Sequence, residues 1–203
     1  MSASTAILFA IFAPLVAIPG IALCNTRPNL REAIILLTAS LVFISVSSLF
    51  VDVANGGRPS LQLGEILPGL SLMLALEPLG MLFAGIASFL WIVTTIYSIG
   101  YMRGHQERNQ TRFYIYFAIA ISSALGIAFA GNMFTLFIFY EVLTISTFPL
   151  VTHSGSDEAK RAGRIYLGIL IGTSIFLQLT AIIWTWNIAG TLDFTVGGIL
   201  NDR

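Results

Sequence analysis

The sequence predicts an all-α integral membrane protein of about six transmembrane helices. Hydrophobic residues make up 56% of the 203 and charged residues only 10%, against roughly 25% charged in soluble domains. Mean hydropathy is +0.87. The apolar residues are gathered in runs whose length crosses a bilayer core at helical rise, with polar turns between them.

Composition also excludes functions. The formal net charge is zero, so nothing points to nucleic acid. The single cysteine, Cys24, leaves no intrachain disulfide and no thiolate metal site. No helix carries two His, or a His and a carboxylate, at ligand spacing. No glycine-rich phosphate loop follows a strand. No cofactor, no metal and no catalytic chemistry of the chain's own are expected.

The first span is expected at about 5–24. A cleaved signal with a lipoprotein cysteine at Cys24 is the competing reading, but no Lys or Arg precedes the run and Leu23 is bulky where a small residue is wanted. Pro14 and Pro19 are placed to kink this helix. A polar turn leads to the second span, 33–52. Residues 53–65 read as a Gly-rich loop. Leu70, Leu72, Leu74 and Leu76 alternate with Ser71, Met73 and Ala75, so this stretch reads as a short strand on the membrane surface.

Glu77-Pro78 opens the third span, 78–102: proline suits a first helical turn, and an acid suits the positive helix end. Tyr97 and Tyr101 stand where an interfacial aromatic belt would. The fourth span, 113–130, is separated from the fifth, 133–152, by Gly131-Asn132 alone, which makes the two an antiparallel hairpin. The sixth covers 164–186, with Gly168 and Gly172 spaced for close helix contact. The tail 187–203 is polar. The whole reads as one membrane domain, 1–203.

Basic residues set an orientation. Turns after the first, third and fifth spans hold Arg27, Arg31, Arg103, Arg108, Arg112, Lys160, Arg161 and Arg164, and the other side holds only Arg58 and Arg203. The basic side is expected in the cytoplasm and the N-terminus outside.

The candidate functional group is Glu141, the one charge in the run 133–152. An ionised carboxylate at mid-depth costs several kcal/mol by most estimates, so such groups are rare and functional. Protonation, a positive partner or a water-filled cavity resolves the cost. Thr144, one turn on, can hydrogen-bond the carboxyl or hold a water. Pro149 removes the backbone donor for the Ile145 carbonyl, which makes either a hydration point or a harmless kink. Lys160, the only lysine, lies too far along: Thr152 is already about 16 Å from Glu141 at helical rise. Gln178 on the sixth span reads as interhelical glue or a secondary polar group. Glu77 reads as a helix-end charge, and His153 as a loop histidine able to collect protons. Ser122, Ser123 and Thr173 line a wet path or bond back to their own helices.

Three stretches together resemble the antiporter-like proton-channel subunits of Mrp-type sodium/proton antiporters, respiratory complex I and membrane-bound hydrogenases. Glu77-Pro78-Leu79 followed by YSIGYM is similar to the family's third helix. AGNMFTLFIFYEVLTISTFPLV is similar to its fifth, and AKRAGRIYLGILIGTSI to the start of its sixth. The wording is most similar to the D-type subunits of Mrp antiporters. The resemblance implies the fold of the N-terminal part of such a subunit, with Glu141 at the family's membrane glutamate. In the family that acid pairs with a lysine on a following broken helix. The lysine helix, the Trp-Leu-Pro segment and the second inverted repeat have no counterpart here, so a split or shortened subunit is expected.

Two functions follow. The first is a proton- or cation/proton-translocating component of a multi-subunit membrane complex, with other membrane subunits supplying the lysine-bearing helices within the same lipid bilayer. The alternative is a structural or assembly subunit without a complete ion path of its own. A third, an independent homo-oligomeric carrier, lacks an inverted repeat within the chain.

Overall fold

A computed structural model describes residues 2–67 and 70–200. Arg203, counted above on the sparsely charged side, lies outside the described residues. Among the described residues, six helical stretches are long and apolar enough to cross a membrane. They are α1 (Ala3–Leu23), α2 (Pro28–Ser48) continued by the short α3 (Phe50–Ala54), α4 (Pro78–Gly104), α5 (Gln110–Ala128), α6 (Met133–Val151), and α7 (Asp157–Thr173) continued by a π-helical segment (Ser174–Leu179) and α8 (Thr180–Ala189).

The helix starts follow from local chemistry. The Ser2, Asn132 and Ser156 side chains accept backbone hydrogen bonds from Thr5, Thr135 and Ala159, which satisfies N–H groups the first turn leaves open. Proline stands at the first turn of α2 and of α4. Asp157 and Glu158 fall in the first turn of α7, where the helix end attracts negative charge.

α1, α2, α4 and α5 share one core, in which Ile7, Ile11, Ile35, Val42, Trp91, Tyr114 and Leu125 are fully or almost fully buried. Hydroxyls stitch it together. Ser45 donates to the Ala6 carbonyl at 3.1 Å and Ser122 to the Ile11 carbonyl at 2.7 Å. Ser123 and Thr173 bond back to their own helices at Ile119 and Ile169. α6 joins this core along α5. At Gly126 an added Cβ would stand 2.2 Å from the Phe139 ring, so only glycine allows that approach. α7 and α8 bury little, chiefly Gly163, Ile182, Thr185 and Ala189.

The structure differs from the expectations at three places. The stretch read as a loop contains a strand, β1 (Ser60–Leu67), which pairs antiparallel with β2 (Leu70–Ala75). β2 is not a lone surface strand: Leu74, and Leu76 just beyond it, are fully buried. The α5–α6 turn lies along β2, with Ala75 donating to the Phe129 carbonyl at 2.7 Å and Gly131 to the Met73 carbonyl at 2.8 Å. The tail closes the other side of that turn: Met133 donates to the Leu192 carbonyl at 3.0 Å and Phe194 to the Gly131 carbonyl at 3.1 Å. Finally, Arg31, Arg103, Arg112, Lys160, Arg161 and Arg164 sit inside helix ends and not in loops. The molecule therefore has a basic end and a hairpin end.

Candidate functional site

α6 is fixed at the hairpin end by Asn132. Its side chain accepts from Thr135 N at 2.8 Å and donates to the Ser71 carbonyl at 2.9 Å, while Thr135 Oγ1 accepts from Met73 N at 2.8 Å. Both side chains are buried. Glu141 then falls about 12 Å into the helix at helical rise. It is half-buried.

Glu141 accepts a hydrogen bond from the Ser174 hydroxyl. Ser174 is 3% exposed and is the first residue of the π-helical segment. Single-turn π segments occur often at functional sites. Thr144 is buried one turn from the acid, but the hydrogen bond comes from the facing helix. Pro149 lies inside α6 and leaves the Ile145 carbonyl without its helical donor. The nearby Ser146 and Thr147 hydroxyls are already committed to the Leu143 and Thr144 carbonyls, each at 2.8 Å. Gln178 is half-buried within the π segment.

Among the described residues no basic side chain pairs with Glu141. Lys160 sits at the basic end, 3.6 Å from Asp157. Glu77 is at the hairpin end, 3.1 Å from Arg58, both largely exposed. His153 follows the last turn of α6. The fold thus brings Glu141, Thr144, Pro149 and Gln178 onto two facing elements, and leaves Glu77 and His153 at opposite ends. Ser174 escapes a reading of the sequence because a serine in an apolar run carries no periodic signal.

The His153 ring packs edge-on against Phe113, centroids 5.7 Å apart, and both ring nitrogens are buried without a partner. Burial holds its pKa below the ordinary histidine value, the Arg112 guanidinium adds to this, and Glu107 opposes it.

A second carboxylate, this one buried, has no signal in the sequence. Glu32 is 5% exposed at the start of α2. Arg103 of α4 holds it with two guanidinium nitrogens, Nε at 3.0 Å from Oε1. Arg31 Nη2 lies 3.5 Å from it. Arg31 also donates to Gln110 Oε1 at 2.8 Å and Thr111 Oγ1 at 3.0 Å, and stands over the Tyr114 ring at 5.2 Å. This cluster joins α2, α4 and α5 at the basic end. Among the described residues no three His, Cys, Asp or Glu side chains gather as a metal site.

Comparison with known proteins places the resemblance. Residues 130–198 match the family described as NADH:quinone oxidoreductase/Mrp antiporter, TM. The antiporter subunit mnhD2 of Staphylococcus epidermidis is 26% identical over 168 residues, covering 82% of this chain and 33% of that protein. The antiporter subunit mnhA2 of the same species is 29% identical over 134 residues, covering 66% of this chain and 16% of that protein. The structure of the Mrp complex from Dietzia sp. DQ12-45-1b contains a chain that superposes with a TM-score of 0.78 at 19% identity, covering 95% of this chain and 36% of that one. The chain thus spans a third or less of the length of these two relatives. The resemblance to the antiporter-like subunits holds, and so does the fold: an all-α, multi-pass membrane protein.

Proposed function

We propose that this chain is a proton- or cation/proton-translocating component of a multi-subunit membrane complex, with Glu141 as its protonatable group. The observation that carries the proposal is the environment of that acid. It lies well inside an apolar helix, with one serine hydroxyl as its hydrogen-bond donor and no cation paired to it among the described residues. A carboxylate in such a place is costly when charged, so proton uptake and release are its natural chemistry. The match over residues 130–198 includes this helix, and relatives named as antiporter subunits support the assignment. The cationic partner comes from helices outside these 203 residues. The basic end faces the cytoplasm, so Ser2 and the hairpin end lie outside a bacterial cytoplasmic membrane.

The test is Glu141→Gln in the assembled complex. Loss of cation- or proton-coupled transport with assembly intact supports the role, and undiminished flux removes it. The second reading, an assembly subunit, draws on the long and little-buried α7–α8 stretch, which offers surface for neighbouring helices. It requires Glu141→Ala to disrupt the complex while leaving transport normal in whatever fraction assembles.

A further inference from the structure

The Ser174 contact has a second acceptor beside it. The hydroxyl that donates to Glu141 Oε1 also lies 3.3 Å from the Ile171 carbonyl. A serine has one hydrogen, so only one of these bonds can be fully made at a time. The choice falls where the helix changes geometry, because the π-helical turns begin at Ser174 itself. Its backbone N–H is directed at both the Leu170 and Ile171 carbonyls, as expected where one hydrogen-bond pattern gives way to another.

We infer that Ser174 is a positioning residue for Glu141, a hydroxyl switch that links the proton occupancy of the acid to the π segment of the facing helix. This rests on Glu141 being the protonatable group. With the carboxylate charged, Ser174 gives its hydrogen to Oε1 and ties α6 to α7. When Glu141 takes a proton, the acid itself becomes a donor. Ser174 Oγ then accepts from it and turns its own hydrogen to the Ile171 carbonyl. The proton stays on Glu141, no covalent bond changes at the serine, and the carbonyl at the π boundary gains a second donor. Ile175, Phe176 and Leu177 of the segment are exposed within this chain. Gln178, half-buried in the same segment, moves with it.

The test uses infrared difference spectra and transport measured on the assembled complex, with Glu141→Gln identifying the Glu141 carboxyl band. Ser174→Ala is expected to shift that band and to slow transport about tenfold, the scale of a lost hydrogen bond to a charged group. Ser174→Thr keeps a hydroxyl and is expected to restore both. Ser174→Cys, closer in size and a weaker donor, is expected to give an intermediate band position. An unmoved band in both Ser174→Ala and Ser174→Cys overturns the switch, even where Glu141→Gln has abolished transport. A Ser174→Ala defect that comes with an unmoved band marks Ser174 as packing and also overturns it. Full transport in Glu141→Gln is a separate failure, of the underlying assignment.

Discussion

Glu32 and Glu141 are both carboxylates on apolar helices, and their surroundings are opposite. Glu32 sits at the basic end in the grip of Arg103 and beside Arg31, which is itself held by Gln110, Thr111 and the Tyr114 ring. Glu141 has a serine. Two guanidinium groups gather around one acid, so Glu32 serves to fasten helices whose contacts lie some 70 to 80 residues apart. Within the described residues Glu141 meets one neutral hydroxyl and no cation. The contrast separates an ion pair that fastens helices from an acid that, under the function proposed above, exchanges protons.

The comparison is broken most easily by exchanging the consequences. Glu141→Gln is expected to abolish coupled transport and leave the thermal midpoint of the purified complex nearly unchanged. Arg103→Ala is expected to do the reverse, lowering the thermal midpoint because it leaves the buried Glu32 with Arg31 alone beside it. Thermal unfolding followed in detergent, alongside transport in liposomes, separates the two. If Arg103→Ala stops transport at full stability, the basic-end cluster belongs to the ion path and the contrast fails.

The two acids also differ in how far the sequence discloses them. Glu141 is legible because it is one charge inside a helix-length apolar run. Glu32 is not, because its meaning depends on Arg103, Gln110 and Thr111, which meet it only once α2, α4 and α5 have packed. The helices themselves are readable from apolar length, yet the basic helix ends read as loops: charges close to a turn look alike whether the backbone is coiled or extended. β1 is hidden by glycine and polar residues, and its partner strand shows only in the alternation of 70–76. The tail is unreadable because its bonds to Gly131 and Met133 are made by backbone atoms, which carry no sequence signature. Ser174 is silent for a related reason, since its role comes from where α7 widens into a π turn.

A smaller effect sharpens the contrast from the side of packing. Gly126→Val is expected to push Phe139 and the α6 backbone away from α5, since even a Cβ would reach the ring at 2.2 Å. Overpacking of this kind costs about 2 kcal/mol. Because Phe139 precedes Glu141 by two residues, transport is expected to fall as well. A Gly126→Val complex with lowered stability but normal transport would show that the acid tolerates displacement of its helix.

His153 tests the basic end by pH. Its folded-state pKa is lowered, by burial first and by Arg112 second. The folded state therefore favours the neutral ring. The stabilising contribution is present above the ordinary histidine value of about 6.5 and is lost as pH falls from there toward the lower folded value. The thermal midpoint is expected to drop on going from neutral to mildly acidic pH, and His153→Phe is expected to flatten that drop. An unchanged pH slope in His153→Phe would assign the acid sensitivity to other groups.

The smallest effect belongs to the pair most like an ordinary surface contact. Arg58 Nε lies 3.1 Å from Glu77 at the hairpin end, with side chains 43% and 62% exposed. Solvent screens such a pair to about 0.5 kcal/mol. Glu77→Gln is therefore expected to leave both stability and transport close to wild type, with the small stability deficit shrinking further at high salt. A loss of transport in Glu77→Gln would show that an acid exposed at a helix start can matter as much as one held at mid-depth. Partner count and burial would then no longer sort the carboxylates of this chain into fasteners and proton carriers.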